Sequence, residues 1–184
     1  MNDLSNEKLE QLRYPIGRFK YPEEYSEEQM KEWIINIENF PANLKKEVEN
    51  LSESQLNTPY RPGGWTIKQL VHHLADSHIN SYVRLKLTLT EDEPAIKPYF
   101  EERWATLKDS ELVPVEESLK LLDGLHKRWT AILKNLTEAQ WERKYFHPEN
   151  KKLVSIKAMT ALYSWHCNHH LTHITNLKQK KGWK

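Results

Sequence analysis

Cysteine and glycine are both scarce in this 184-residue sequence, which contains one cysteine and five glycines. The single cysteine, Cys167, excludes an internal disulfide and any paired-cysteine motif, and such usage is typical of a reducing compartment. So few glycines, together with a shortage of alternating Val, Ile and Thr, favour helices over tightly turned strands. The sequence therefore predicts a mainly helical protein of the cytoplasm.

An excess of charge of one sign is also missing. The chain has 27 Lys and Arg against 26 Asp and Glu, a formal net charge of +1. Because nucleic-acid and anionic-membrane binders need a basic surface, we expect neither partner. The polar start MNDLSNEKLEQL lacks the pattern of a secretion signal, and no apolar run approaches the roughly 18 residues of a membrane span. The length fits one domain over residues 1–184.

Four long helices are predicted from apolar residues that recur at helical spacing. They begin near Ser26, Thr66, Pro114 and Ser155, and the first meets Pro41, which should kink or restart it. Glu91 to Val113 forms a long connection after the second helix, and the run YFHPENKKLV predicts a small hairpin. Helices with one apolar face each predict an all-α four-helix bundle.

The last helix carries four of the nine histidines within the ten residues WHCNHHLTHI. At about 100° per residue, His166, His170 and His173 share one face of this helix, and His169 lies at its edge. Apolar residues share that face, so the imidazoles point towards the bundle interior. Histidines four apart can bind one metal ion, although such a pair also occurs by chance in many helices.

A second histidine cluster, HHLADSH, lies on the second helix and can supply a further ligand, because metal sites in bundles draw ligands from facing helices. The spacing leaves open whether this ligand is His73 or His78. His73 aligns with Ser77, Asn80 and Arg84 in a polar stripe. Such a stripe is usually solvated surface, but here it could line a cleft in which Arg84 faces an anionic substrate.

Other candidate groups have simpler interpretations. Cys167 points about 100° from His166 and is expected to be a packed thiol. His126 lies on an apolar stripe and is interpreted as a core histidine with a partner, and His147 as a loop histidine. Trp65 and Trp165 adjoin the histidine clusters and could either pack in the core or wall the site.

The segments WTIKQLVHHLADSHINSYVRLKL and LYSWHCNHHLTHI, with NTPYRPGGW and YPIGRFKYPEEYSEEQ, resemble the DinB/YfiT-like superfamily over nearly the whole chain. The resemblance is to its YfiT group of metal-dependent hydrolases, whose relatives include bacillithiol S-transferases. It implies a four-helix bundle and a cytoplasmic homodimer with zinc or nickel bound by His73, His166 and His170. Many members of the superfamily have Gln where this chain has His173, so its role stays open.

Three neutral imidazoles leave one position of a tetrahedral ion open, as in catalytic sites. Such an ion can activate water for hydrolysis or a thiol for transfer to an electrophile. His166 is followed by Cys167 and not by the glutamate of zinc proteases, which disfavours a protease.

The resemblance, together with the missing glutamate, implies a thiol S-transferase of the bacillithiol type that acts on a small-molecule thiol and an electrophile. Ser77, Asn80, Arg84 and His173 are the candidate substrate contacts. The alternatives are a metal-dependent hydrolase, a metal-binding bundle without turnover, and a metal-free interaction module with packed histidines.

Overall fold

The computed structural model describes residues 6–183. Four long helices and a two-stranded sheet confirm the predicted four-helix bundle and its hairpin. The extent of the predicted domain, 1–184, stays a prediction, and residues 1–5 and 184 lie outside the described residues. The elements in chain order are α1 (Asn6–Arg13), α2 (Glu27–Val48), α3 (Glu53–Leu56), α4 (Ile67–Thr90), α5 (Glu101–Trp104), α6 (Lys108–Leu112), α7 (Val115–Leu133), α8 (Glu138–Trp141), β1 (Lys144–His147), β2 (Lys152–Ser155) and α9 (Ile156–Lys181).

Side-chain caps determine where three of the long helices begin. The hydroxyls of Ser26, Thr66 and Ser155 each accept a hydrogen bond from the backbone amide three residues later. These bonds satisfy amides that the first helical turn leaves without a partner. The caps explain why the predicted starts agree with the structure to within one residue.

The helix α2 continues through Pro41 to Val48, so the restart that the proline suggested does not occur. Proline has no N–H, and the carbonyl four residues earlier, that of Ile37, therefore loses its helical donor. Ile37 and Phe40 are almost fully buried on either side of this point. Burial of apolar residues around Pro41 stabilises the continuous helix in spite of the lost bond.

The bundle places α2 and α4 on one diagonal, since each of them packs against both α7 and α9. Contacts between Asn36 and Ser164, and between Glu47 and Lys178, show that α2 and α9 run in the same direction. Contacts between the start of α4 and the start of α7 show that these two helices are also parallel. The chain must therefore return along roughly 36 Å of helix between α4 and α7, which explains the long connection.

The short helices were harder to predict than the long ones. The connection contains α5 and α6, in agreement with the helical turns expected around Trp104. The helices α1, α3 and α8 were not predicted, because a helix of four to eight residues shows too little apolar periodicity. Within residues 6–183, none of the helices combines the length and apolar composition needed to cross a bilayer.

Candidate metal centre

Two facing helices bring together the three histidines of the predicted metal site. The Nε2 atoms of His166 and His170 lie 3.1 Å apart, one turn from each other on α9. On α4, the ring of His73 lies 5.7 Å from that of His166 and 5.1 Å from that of His170, measured between centroids. One nitrogen from each residue falls within 4.8 Å of the others. This is the arrangement that a shared ion requires.

Burial keeps these imidazoles neutral. His73 is only 4% exposed, and burial, aided by the neighbouring His169, lowers its pKa to about 4. Burial also lowers the pKa of His166 and of His170 well below the ordinary value, and the other imidazoles lower it further. The neutral ring is the form that binds a metal, because the ion needs a free lone pair.

The donor set fits a divalent ion. Two buried Nε2 atoms at 3.1 Å can share at most one proton, and a cation between them satisfies both lone pairs. Among the described residues, no carboxylate or thiolate joins this group, which is made of imidazoles alone. Imidazole suits zinc and nickel equally well, so the residues do not distinguish between these ions.

His78 lies beside the centre but contacts the opposite nitrogen of His166. Its Nε2 is 3.1 Å from His166 Nδ1, and its Nδ1 is 2.7 Å from His126 Nε2. His126 Nδ1 in turn donates to the carbonyl oxygen of Ile37 at 2.5 Å. His73 is therefore the α4 histidine that can share an ion with His166 and His170, whereas His78 contacts a ligand from behind and does not reach the ion. His126 is the partnered core histidine that the apolar stripe predicted.

A second histidine group, formed by His169, His170 and His173, lies next to the first. The Nε2 atoms of His169 and His173 are 3.2 Å apart, and burial lowers the pKa of His169 to about 4 and that of His173 to about 3. The rings pack on Trp165 and Tyr60, respectively. Because His170 belongs to both groups, a single nitrogen of His170 cannot complete both sites at once.

A cavity of about 470 Å³ opens beside His166. Ser77 and Arg84, two of the predicted substrate contacts, line it, so this part of the polar stripe forms a cavity wall. The amide of Asn80 donates to a backbone carbonyl of its own helix, and Asn80 is not among the residues that line the cavity. His173 lies elsewhere, against Tyr60. The structure thus places Ser77 and Arg84 in the cavity wall but not Asn80 or His173, and His173 instead lies in the second histidine group, with its ring centroid 6.0 Å from that of His170.

The cavity also contains groups that the sequence analysis missed. Tyr99 and Glu101 come from the long connection, where no spacing pattern indicated a site. Burial raises the pKa of the Tyr99 hydroxyl and that of the Glu101 carboxyl. Tyr163 donates to the backbone carbonyl of Ser77 at 3.2 Å, which ties α9 to α4 at the cavity floor. Both hydroxyls therefore stay protonated at neutral pH, and because the proton of Tyr163 is already donated to Ser77, Tyr99 is the tyrosine that can donate into the cavity.

The remaining candidates lie largely where the sequence placed them. Cys167 is fully buried, and burial raises the pKa of its thiol well above the ordinary value, as expected of a packed side chain. Trp165 stacks on His169 with ring centroids 4.5 Å apart, and Trp65 lies 4.6 Å from the ring of His73. Both tryptophans therefore wall the histidine clusters. The interpretation of His147 as a loop histidine is wrong, because it is the last residue of β1, where it pairs with Lys152, and it lines the cavity.

The sequence profile of the DinB superfamily matches residues 36–174, a span that includes all three histidines of the centre. The chain belongs to the DinB superfamily. Within it, the YfiT protein of Bacillus subtilis (strain 168) is 52% identical over 172 residues, which cover 94% of this chain and 97% of that protein. A metal-dependent hydrolase by name, from Bacillus mycoides (strain KBAB4), is 49% identical over 95% of this chain and 100% of its own length.

Two solved structures share the bundle. YfiT from Bacillus subtilis, described as "a probable metal-dependent hydrolase with an unusual four-helix bundle topology", superimposes with a TM-score of 0.92 at 51% identity over 95% of this chain and 99% of that chain. A mycothiol-dependent maleylpyruvate isomerase superimposes with a TM-score of 0.59 at 13% identity, over 80% of this chain and 60% of that chain, and shows the fold alone. These findings confirm the resemblance to the YfiT group.

Proposed function

We propose that this DinB-superfamily protein is a metal-dependent enzyme that transfers a small thiol of the bacillithiol type to an electrophile. His73, His166 and His170 would hold zinc or nickel. The observation that carries the proposal is the set of three neutral imidazoles beside a cavity that also contains Arg84. A ligand set without carboxylates leaves the ion its positive charge, which favours the thiolate form of a bound thiol.

The residues around the cavity have separable tasks. The guanidinium of Arg84 would bind an anionic group of the thiol, for which its fixed charge and planar donors are suited. The hydroxyl of Tyr99 would donate to a polar group of either substrate. The thiol would lose its proton to solvent and its sulfur would form a bond to carbon. A haloarene would lose its halide with the bonding pair, whereas an epoxide would open at its C–O bond and its oxygen would take a proton from solvent.

A metal-dependent hydrolase is the second candidate, and two observations favour it. The relatives described above carry that name, and Glu101 lies in the same cavity with a carboxyl pKa raised by burial. A carboxylate tuned in this way is suited to accept a proton from water. In this case Glu101 would be the general base and take one proton from water, the water oxygen would form a bond to the carbonyl carbon of an ester or amide, and the alcohol or amine would depart with the bonding pair and a proton.

An assay with purified, zinc-loaded or nickel-loaded protein separates the candidates. We expect conjugation of low-molecular-weight thiols to electrophiles such as haloarenes and epoxides, and loss of this activity with a chelator. Cleavage of esters or amides without conjugation would contradict the transferase and support the hydrolase. Metal binding without either activity would support a bundle that binds metal without turnover, and a chain without metal would support the interaction module.

We further propose that the enzyme acts in the cytoplasm as a homodimer, without a nucleic-acid or membrane partner. The single buried cysteine and the balanced charge support this view. Light scattering should give twice the 22.0 kDa mass of the chain. A mass of one chain at working concentration would contradict the dimer.

A further inference from the structure

A chain of hydrogen bonds runs from the backbone at Pro41 through three histidines to the metal centre. Because Pro41 lacks an N–H, the carbonyl of Ile37 has no helical donor and accepts from His126 Nδ1 instead. A carbonyl oxygen can only accept a hydrogen bond. The proton of the neutral His126 ring is therefore fixed on Nδ1, and its Nε2 carries a lone pair.

The same rule fixes the next two rings in turn. His126 Nε2 must accept, so His78 Nδ1 donates to it at 2.7 Å and His78 Nε2 carries a lone pair. His78 Nε2 must then accept from His166 Nδ1 at 3.1 Å. A neutral imidazole has one N–H, so His166 Nε2 is left bare. This is the atom that faces His170 Nε2.

Burial excludes other partners that could reverse this order. His78 is fully buried and His126 is 1% exposed, so water does not compete for their nitrogens. The rings around His78 are those of Phe40, Trp129 and Tyr163, none of which offers an acceptor as strong as an imidazole nitrogen. The chain of bonds therefore has one consistent direction, set by the Ile37 carbonyl.

We propose that His126 and His78 are positioning residues. Because the Ile37 carbonyl can only accept, the chain of hydrogen bonds through these two rings keeps the proton of His166 on Nδ1 and leaves its Nε2 free to bind the metal ion. The inference rests on the metal site of the proposed function. Partners of this kind fix the tautomer and orientation of a ligating histidine, and their loss typically weakens metal binding about 10- to 100-fold. Neither residue touches the ion.

A matched pair of variants tests the relay. In His126→Leu, the ring that bonds to the Ile37 carbonyl and to His78 is lost. His78 can then carry its proton on Nε2 and donate it to His166 Nδ1. The proton of His166 then moves to its Nε2, the atom that should bind the ion. We expect zinc affinity, measured by chelator competition, to fall about 10- to 100-fold. In His126→Gln the amide N–H can donate to Ile37 and the amide oxygen can accept from His78. Its affinity should stay close to that of the wild type.

Long-range ¹H–¹⁵N NMR of metal-free, ¹⁵N-histidine-labelled protein gives a readout that a merely structural role would not change. We expect His166 of the wild type to carry its proton on Nδ1, and His126→Leu to shift it to Nε2. A proton on Nε2 in the wild type would overturn the relay, as would equal zinc affinities for the Leu and Gln variants. If the wild type binds no zinc, the proposed function fails, while the NMR result still decides the relay. The wild-type spectrum also decides it if His126→Leu does not fold.

Discussion

The diagonal helices α2 and α4 have similar lengths, 22 and 24 residues, yet they bury different side chains. Every buried residue of α2 is apolar, whereas half of the buried residues of α4 are polar or charged. Apolar burial stabilises a fold, and buried polar groups cost free energy unless they are partnered. The helix α2 therefore contributes mainly to the stability of the bundle. The helix α4 contributes less apolar burial for its length, because its buried polar residues form the site.

Acid should expose the cost of the buried histidines of α4 and α7 most strongly. Burial lowers the pKa of His73 and of His126 to about 4, below the 6.5 of an ordinary histidine. Between these values the unfolded chain binds protons that the folded chain does not. The free energy of unfolding of the metal-free protein should therefore fall as pH drops from 6.5 towards 4, on the order of 1.4 kcal/mol per pH unit for each such histidine.

Denaturant titrations at several pH values measure this slope. The double variant His78→Leu/His126→Leu removes two of the buried imidazoles and should flatten it. The variant leaves the Ile37 carbonyl and His166 Nδ1 without their partners, so it should be less stable than the wild type at neutral pH by about 1–3 kcal/mol for each of these groups. Stability of the wild type that is constant from pH 6.5 to 4 would show that the histidines are not neutral in the fold.

Truncation in α2 should affect the fold and spare the site. Leu44 is fully buried, so Leu44→Ala should lower the free energy of unfolding by about 2–5 kcal/mol. Zinc affinity of the folded protein should not change, because Leu44 belongs to neither histidine group. Ile35→Ala, at a site 53% exposed on the same helix, is the matched control and should change stability by no more than about 0.5 kcal/mol. A large loss of zinc affinity in Leu44→Ala would show that α2 contributes to the metal site as well as to stability.

Two adjacent histidines of α4, His72 and His73, should differ in their effects: one on stability and the other on metal binding. His73→Ala removes a ligand and should lower zinc affinity by more than about 100-fold, beyond the effect of losing a partner of a ligand. His72 instead contacts Ser118 Oγ at 2.8 Å and the carbonyl of Val113 at 3.1 Å. His72→Ala should therefore lower stability by about 1–3 kcal/mol and leave zinc affinity intact. Chelator competition and thermal unfolding would distinguish them, and equal zinc loss in both would contradict the assignment of His73.

The smallest effect is expected in the cavity. Arg84→Met removes a charge-assisted hydrogen bond to substrate, worth about 1.5–3 kcal/mol, and should raise KM roughly tenfold or more with little change in metal content. Lys86→Met replaces an exposed cation on the same helix and should leave KM unchanged. If the two variants behave alike in steady-state kinetics, Arg84 does not bind the substrate.

The parts of the fold and site that could be predicted from the sequence depend on interactions between residues close together in the chain. The caps at Thr66 and Ser155 and the apolar periodicity gave the bounds of α4 and α9, because both act within a few residues. The same periodicity placed His166 and His170 on one face. The predicted continuation of the first helix beyond Pro41 is confirmed, but the restart at Pro41 is wrong, since tertiary packing stabilises a helix that the proline alone would interrupt.

Tertiary arrangement decided what the sequence left open. The choice between His73 and His78 depends on how α4 is rotated against α9, and helical spacing does not determine that rotation. Tyr99 and Glu101 reach the cavity through the path of the long connection, which has no periodic pattern. The partner of His126 was expected, but its place in a chain of hydrogen bonds required the positions of three helices.

Anomalous scattering at the zinc edge, from crystals of zinc-loaded protein, would locate the ion and show whether the three histidines of the centre bind it. We expect one anomalous peak per chain, about 2.0–2.1 Å from a nitrogen of His73 and from Nε2 of His166 and of His170. A peak between His169 and His173, or fully loaded crystals without a peak at His73, would contradict this expectation.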